Sequence, residues 1–393
     1  MIKIAVVTST RAEYGLMRPL IKCFCEDEDF ELLLYVTGTH LLDSYGKTYR
    51  EIENDGVTIK GMIPIMEEKR DEISVAETIG RATVEFTKAF LEDKPEYLFV
   101  DGDRYEMVAI CIAAVNCKIP IIHNGGGAIT SGASDEYFRH MITKMSWLHF
   151  TSTEIYRNRI IRMGENPIRV YNVGSLGLEN IRNLLFISKT ELERRLEFKL
   201  GEKYAVVTFH PATLENEAPE KQTKELLEAC DKCEDIKFIF TKANADCSGN
   251  VVNEMVDTFV GKNSDKAICV ASMGSVNYLS ALKYCEFVMG NSSSGIIEAP
   301  FLGIPTINIG DRQKGRVQAN SIFNCKPNSE DILRTIEYVR RSAVREHCSQ
   351  VISKYGDGNC VSKKIINIIK ERISSDSEKL QKTFYDGNDI STS

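Results

Sequence analysis

The strongest constraint on this 393-residue chain is the alternation of short apolar segments with segments of helical periodicity. The first apolar segment, Lys3 to Thr8, is followed by a polar turn, and a helix is predicted to begin near Leu16. The same order recurs along most of the chain. Strands that alternate with helices pair in parallel, because each helix returns the chain across one face of the sheet. The sequence therefore predicts a parallel, doubly wound α/β fold.

The pattern restarts midway, which predicts two successive Rossmann-like domains with a cleft between them. Val170 to Gly174 ends the first series of strands, and Tyr204 to Phe209 opens the second. A chain of this length also exceeds what one hydrophobic core usually organises. The expected parts are a first domain over residues 1–172, a second domain over residues 173–354, a terminal helix near residues 355–375 and a flexible tail over residues 376–393.

The composition is that of a globular protein, with 43% hydrophobic and 27% charged residues. A net charge of −7 opposes nonspecific nucleic-acid binding, and no apolar run is long enough to span a bilayer. The first residues match a strand rather than a signal peptide, so we expect a cytoplasmic protein whose twelve cysteines are reduced. Cys230 and Cys233 form a C-x-x-C without a second metal-binding pair, and we interpret them as part of a helix surface.

Titratable side chains follow several strands of the first half, where parallel sheets present ligands. They include Arg11, His40, Asp101, Asp103 and Glu106. The stretch from His123 to His140 adds a glycine-rich loop and a helix start with Asp135, Glu136 and Arg139. Carboxylates gathered in a cleft could exchange protons with a sugar carbon or a leaving oxygen. The alternative interpretation of each carboxylate is a helix cap or a surface ion pair.

The second half contains a candidate phosphate site at Asn291-Ser292-Ser293-Ser294-Gly295, between a strand and a helix start. Hydroxyl groups and backbone amides at the positive end of a helix favour phosphate, whereas an ordinary cap needs one serine. Glu298 could accept hydrogen bonds from a ribose, and Arg312, Lys314 and Arg316 add cations suited to a pyrophosphate. The segment is neither a P-loop nor a G-x-G-x-x-G fingerprint, so neither ATP nor NAD is predicted.

In their order along the chain, these motifs resemble the hydrolysing UDP-N-acetylglucosamine 2-epimerases of sialic-acid biosynthesis, from Ile2 to about Ser342. The matching motifs are Thr8 to Gly15, Gly38-Thr39-His40, Gly102 to Glu106, Asp135 to His140, Thr143-Lys144, His210-Pro211, Asn244-Ala245-Asp246, Gly290 to Gly295 with Glu298, and Gly310 to Arg316. The resemblance implies a glycosyltransferase-B-like fold with its active site in the interdomain cleft. It also implies that the last helix packs on the first domain and that the protein is a homodimer or homotetramer.

The family's reaction eliminates UDP across C1 and C2 of the sugar and hydrates the resulting 2-acetamidoglucal to N-acetylmannosamine. The resemblance implies that no nicotinamide and no metal take part. The implied catalytic residues are Asp103, Asp135, His210 and the residue at position 128. The implied substrate-binding residues are Arg11, Ser292, Ser293, Gly295 and Arg312 for the diphosphate, Glu298 for the ribose, Asn244 for the nucleotide, and His40, Arg104 and Arg139 for the sugar side.

Two positions in the His123–His140 stretch depart from the family pattern. Gly125 replaces a histidine, and Ala128 replaces a carboxylate, usually glutamate, that the family counts among its catalytic groups. Loss of a general acid or base typically costs about 10²–10⁴-fold in rate, so impaired turnover is expected. Ala128 is either an engineered substitution that traps a complex, or a natural variant that uses Glu136, His123 or water instead. The otherwise intact motifs favour the first explanation.

Three other activities stay open at the level of the sequence. They are a retaining glycosyltransferase of the same fold, a non-hydrolysing epimerase that returns a UDP-sugar, and a catalytically silent nucleotide-sugar binder. Related epimerases also act on GDP-linked or diacetamido-6-deoxy sugars, for which the phosphate site would look much the same.

Overall fold

The computed structural model describes residues 1–68, 71–130, 134–210, 219–242, 249–271, 273–376 and 379–387. The strands are β1 (Ile2–Thr8), β2 (Phe30–Thr37), β3 (Ile59–Ile63), β4 (Tyr97–Asp101), β5 (Ile121–Asn124), β6 (Leu148–Thr151), β7 (Val170–Asn172), β8 (Tyr204–Thr208), β9 (Lys237–Thr241), β10 (Ala267–Val270), β11 (Phe287–Gly290), β12 (Thr306–Ile309) and β13 (Ile322–Cys325).

The helices, in chain order, connect these strands. They are α1 (Arg11–Glu26), α2 (Tyr49–Asn54), α3 (Glu72–Asp93), α4 (Tyr105–Asn116), α5 (Asp135–Met145), α6 (Glu154–Arg162), α7 (Leu176–Asn183), α8 (Lys189–Leu196), α9 (Pro219–Lys232), α10 (Gly249–Lys262), α11 (Gly274–Tyr284), α12 (Ser293–Phe301), α13 (Ser329–Val339), α14 (Ser342–Ser349) and α15 (Val361–Ser375). Among the described helices, none combines the length and the apolar composition needed to cross a bilayer.

The chain divides into two compact units. The first unit comprises residues 1–128, 135–182 and 355–393, and the second comprises residues 129–134 and 183–354. In the first unit the sheet order is β3-β2-β1-β4-β5-β6-β7, and in the second it is β10-β9-β8-β11-β12-β13. All of the described strand pairs are parallel, which confirms the predicted fold class. In each sheet the strand order reverses beside the first strand, which is where such sheets usually bind ligands.

The sheet of the first unit is covered on both faces. One face packs against α1 and α15 through residues such as Phe24, Ile365 and Ile369. The other packs against α3 and α4 through residues such as Phe86 and Ile110. The apolar side chains of β4 point to both layers, which is why this strand reads as one continuous apolar run.

Two local predictions are wrong. Helix α1 begins at Arg11 rather than near Leu16, because Thr10 and Glu13 form a capping box at its start. Cys230 and Cys233 do not lie on a helix surface. Both thiols are buried in the core of the second unit, where burial raises their pKa values.

Candidate active site

The carboxylates of the first unit converge at the carboxyl ends of β1, β4 and β5, which are neighbours in the sheet. Asp103 follows β4 after Gly102, whose φ of +81° is a left-handed conformation that favours glycine. Asp135, Glu136 and Arg139 lie in the first turns of α5. The parallel order of the strands therefore brings the loop after β4 against the start of α5.

Arg139 is the centre of this cluster. Its side chain is only 1% exposed, and its Nε and Nη2 both donate to Oδ2 of Asp103. Its Nη1 donates to Oε2 of Glu136 at 2.6 Å and to the carbonyl of Ala128 at 2.9 Å. Burial opposes the positive charge, but the two carboxylates outweigh it and raise the pKa of Arg139. One buried guanidinium thus fixes two partly exposed carboxylates and the backbone at position 128.

The carboxylates held by Arg139 remain accessible from solvent. Asp103 and Glu136 keep 26% and 27% of their side-chain surface exposed. Oε1 of Glu136 lies 3.0 Å from Nε2 of His140, and Asp135 is half-buried at the first residue of α5. These groups can exchange protons with a bound molecule, whereas Arg139 acts through them.

Buried His123 holds the backbone just before Asp103. Its Nε2 lies 2.9 Å from the carbonyl of Gly102, and its Nδ1 lies 3.3 Å from the hydroxyl of Thr143. Burial lowers the pKa of His123 to about 3, so the ring is neutral and Nε2 donates to Gly102. The sequence motif drew attention to the glycines after this histidine, but it did not reveal that the ring fixes the backbone before Asp103.

The glycines of the loop after β5 pack closely against other residues of the first unit. A Cβ on Gly127 would lie 2.4 Å from the carbonyl of Tyr156, and one on Gly126 would lie 2.9 Å from Ile160 and from Thr143. Close packing against α5 and α6 therefore explains both glycines.

A second pair of carboxylates lies under the loop after β1. The hydroxyl of Ser9 is 2.8 Å from Oε2 of Glu13 and 2.8 Å from Oε1 of Glu106, and the latter also accepts from Nε of Arg104. Burial, together with the charge of Glu106, raises the pKa of Glu13 to about 8. Arg104 is thus oriented by Glu106, which belongs to a buried acidic pair whose separation of 93 residues no local pattern indicates.

Arg11 and His40 lie at the same edge of the sheet. Arg11 pairs with Glu51 at 3.1 Å. His40 is fully buried, and its two nitrogens lie 3.0 Å from the hydroxyl of Thr8 and 2.8 Å from that of Thr48. Burial lowers the pKa of His40 to about 4, so this ring is neutral and holds the loop together.

In the second unit, Asn291 organises the ends of β8, β11 and β12. Its side chain hydrogen-bonds the backbone N–H and C=O of His210 at 2.7 and 2.8 Å. The backbone carbonyl of Asn291 accepts hydrogen bonds from Nη1 of Arg312 and from Nε2 of Gln313. Burial, and then the charge of Arg312, lowers the pKa of His210 to about 3. The sequence did not predict this role of Asn291, although its place between a strand and a helix cap was a signal.

The serine loop forms the start of α12, with Ser292 as the N-cap. Ser292 and Ser293 are half-buried, while buried Ser294 accepts a hydrogen bond from Tyr278. Gly295 has a packing explanation, since a Cβ there would lie 2.8 Å from Thr306. Burial raises the pKa of Glu298, which lies one turn further along. The first two hydroxyls and the helix start are therefore the parts suited to an anion.

The predicted basic cluster is divided in the structure. Arg312 lies beside Asn291, exposed Lys314 pairs with Asp311, and Arg316 donates to the carbonyl of Ile129 and the hydroxyl of Thr130. Asn244, expected to contact the nucleotide, lies outside the described residues, as does Pro211.

Comparisons with known proteins agree with this architecture. The family model described as UDP-N-acetylglucosamine 2-epimerase matches residues 23–370. The chain is 42% identical to the GDP/UDP-N,N'-diacetylbacillosamine 2-epimerase (hydrolyzing) of Campylobacter jejuni, over 84% of this chain and 85% of that one. It is 37% identical to polysialic acid biosynthesis protein P7 of Escherichia coli, over 100% and 99% of the two chains.

A solved structure confirms the fold. The UDP-GlcNAc 2-epimerase of Neisseria meningitidis, crystallised with UDP-GlcNAc, is 18% identical and has a TM-score of 0.80, covering 94% of this chain and 100% of that one. The fold is accordingly the two-domain glycosyltransferase-B-like fold. With a family model spanning most of its length and two relatives above 30% identity, the chain belongs to the UDP-N-acetylglucosamine 2-epimerase family.

Proposed function

We propose that this protein is a hydrolysing 2-epimerase of a UDP-linked 2-acetamido sugar, with UDP-N-acetylglucosamine as substrate and N-acetylmannosamine plus UDP as products. The observation that carries the proposal is the guanidinium of Arg139, which holds the partly exposed carboxylates of Asp103 and Glu136 together. Two orientated carboxylates can remove a proton from one carbon and return a proton to its other face.

In the proposed elimination, a carboxylate removes the C2 proton while the C1–oxygen bond to the diphosphate breaks. The electron pair of the C2–H bond forms the C1=C2 double bond, and UDP leaves with its negative charge. Arg312 and the start of α12 with Ser292 are proposed to stabilise that charge. Water then adds hydroxide to C1 and a proton to the opposite face of C2.

We assign Asp103 and Glu136 as the main acid/base residues, with Asp135 beside them. Although the motifs alone favour an engineered substitution at Ala128, Glu136 is proposed to replace the missing carboxylate, because the backbone of position 128 and the carboxylate of Glu136 contact the same nitrogen of Arg139. His123 is a weaker replacement, since its ring is buried, neutral and engaged by Gly102. His210 is proposed to act as a neutral hydrogen-bonding group near the diphosphate.

Incubation with UDP-N-acetylglucosamine in deuterated water tests the proposal. We expect UDP and free N-acetylmannosamine that carries one deuterium at C2, with Asp103→Asn as the inactive control. Return of a deuterated UDP-sugar would instead identify a non-hydrolysing epimerase. Absence of UDP release without an acceptor would contradict the proposal and favour a glycosyltransferase or a silent binder.

A second substrate is favoured by a specific observation. The relative that is 42% identical is named for GDP- and UDP-linked N,N'-diacetylbacillosamine. Parallel measurements of kcat/KM on UDP-N-acetylglucosamine and on UDP- and GDP-linked diacetylbacillosamine decide between them. A preference above about tenfold for either diacetylated sugar would overturn the choice of N-acetylglucosamine.

A further inference from the structure

The carboxyl-terminal segment 379–387 contacts the first unit at defined points, although its sequence lacks periodicity. A Cβ on Gly164 would lie 2.3 Å from the ring of Phe384, so the ring rests directly on this glycine. The backbone N–H of Tyr385 donates to the carbonyl of Gly164 at 2.9 Å. Just before the segment, Asp376 accepts a hydrogen bond from the indole of Trp147 at 2.8 Å.

Lys382 is the main anchor of this segment. Its ammonium donates to the carbonyls of Lys144 and Ser146, both at 2.8 Å, and lies 3.4 Å from that of Thr143. The carbonyls of Thr143 and Lys144 lie in the last turn of α5, and that of Ser146 follows directly. The last turn of a helix lacks internal donors for its carbonyls. A cation there also complements the negative end of the helix dipole.

The same ammonium is held by Glu165. The carboxylate is 2% exposed and lies 2.6 Å from Lys382, 2.6 Å from Lys144 and 3.1 Å from His149. Burial alone would raise the pKa of Glu165, but His149 and the two lysines outweigh it and lower the pKa to about 2. Burial lowers the pKa of Lys382 to about 8, so the ammonium persists at neutral pH. The pair is therefore charged under ordinary conditions.

A short chain of contacts connects this anchor to the carboxylate site. The hydroxyl of Thr143 donates to the carbonyl of Arg139, one turn earlier in α5, and the side chain of Arg139 holds Asp103 and Glu136. A shift of the end of α5 would move the helix as a body, because its backbone hydrogen bonds are continuous.

We propose that segment 379–387, through Lys382, is a positioning element that holds α5 where Arg139 orients Asp103 and Glu136. The part of this inference that concerns turnover rests on the proposed epimerase function. Lys382 touches no reacting atom and acts through α5. A displacement of about 1 Å at a catalytic group can cost roughly 100-fold in rate, so a contact at the far end of the helix is sufficient to matter.

Lys382→Met tests the proposal, with Lys382→Arg as the conservative rescue. Lys379→Met is the matched control, since Lys379 lies over the ring of Tyr97 instead of the end of α5. In hydrogen–deuterium exchange, Lys382→Met is expected to speed exchange in residues 135–145 and leave residues 105–116 unchanged. Its kcat is expected to fall about tenfold to 100-fold with UDP affinity unchanged, and Lys382→Arg is expected to restore both properties.

Two results would overturn the inference. Unchanged exchange in residues 135–145 would mean that Lys382 does not hold the helix. Faster exchange with a wild-type kcat would mean that the helix end does not position the carboxylates. Failure of the wild-type chain to release UDP from any nucleotide sugar would reject the proposed function instead, and the exchange comparison would still decide whether Lys382 holds α5.

Discussion

Replacing Arg139 by methionine removes the cation on which the carboxylate site depends. Methionine fills a similar length of the buried space but donates no hydrogen bond. Asp103 would lose two hydrogen bonds to Oδ2, Glu136 would lose one, and the carbonyl of Ala128 would lose a buried donor. The substitution therefore removes the cation from two partly exposed carboxylates and a hydrogen-bond donor from a buried carbonyl.

The expected cost is large because the guanidinium is almost fully buried. Breaking a buried ion pair by removing one partner typically costs about 3–5 kcal/mol. The stability of a domain is about 5–15 kcal/mol, so Arg139→Met should be marginally folded rather than unfolded. With a urea m-value of about 2 kcal/mol/M, the unfolding midpoint should fall by roughly 2 M.

The chain offers a selective probe for this experiment. Its single tryptophan, Trp147, is buried in the first unit, so its fluorescence follows the unfolding of the unit that contains Arg139. Arg18→Met is the matched control, because Arg18 pairs with Asp55 on an exposed part of the same unit. An exposed pair contributes about 0–1 kcal/mol, so the control midpoint should move little.

Equal midpoint shifts for Arg139→Met and Arg18→Met would refute the assignment of Arg139 as the buried centre of the site. Wild-type turnover by a folded Arg139→Met protein would refute its role in orienting Asp103 and Glu136. Conversely, a shift of roughly 2 M with loss of turnover is the outcome that the geometry requires.

Three further predictions follow from the other groups of the site. Asp103→Asn should lower kcat by about 10²–10⁴-fold in a stopped UDP-release assay, with unchanged UDP affinity. Arg312→Met should weaken UDP binding by about tenfold to 100-fold in calorimetry, since a charged hydrogen bond contributes about 1.5–3 kcal/mol. The pKa of Glu13 rises from 4.5 to about 8 on folding, so its stabilising contribution is complete below 4.5 and is lost as pH rises towards 8. The Trp147 urea midpoint of the wild type should therefore fall between pH 5 and pH 8.5 relative to that of Glu13→Gln, and parallel profiles would contradict the shift.

The fold class could be predicted from the sequence because buried parallel strands are apolar throughout. The edge strands β3 and β13 were not predicted from that pattern. In β3 exposed Lys60 and Met62 alternate with half-buried neighbours, so the segment lacks the continuous apolar run of an inner strand. Thr10 and Glu13 match the capping box that begins α1 at Arg11, whereas the apolar spacing alone predicts a start near Leu16.

The sequence predicts which candidate site residues lie at strand ends. It does not predict which side chains they pair with. Parallel topology places Asp103 and the start of α5 at one edge of the sheet from the sequence alone. The sequence does not tell which cation neutralises which carboxylate, because Arg139 and Asp103 are 36 residues apart and other basic side chains were candidates. Likewise, Arg316 was expected beside a pyrophosphate, but its guanidinium holds Ile129 and Thr130.

The replacement of the family's carboxylate at Ala128 can be tested by a double-mutant cycle with Glu136. The backbone carbonyl of Ala128 and the carboxylate of Glu136 share Nη1 of Arg139, so a glutamate at position 128 would start from the backbone beside the same guanidinium. If Glu136 performs the missing role, Ala128→Glu should change kcat by less than about threefold, within the scatter of a neutral substitution. Glu136→Gln should lower kcat by about 10²-fold or more.

The decisive variant of this cycle is the double substitution Ala128→Glu with Glu136→Gln. Because it restores one carboxylate beside Arg139, it should recover much of the rate that Glu136→Gln alone loses, which is a non-additive result. A large gain from Ala128→Glu alone would mean that the lost carboxylate limits this chain and that Glu136 does not replace it. Additive losses in the double variant would mean that the two positions do not serve the same proton transfer.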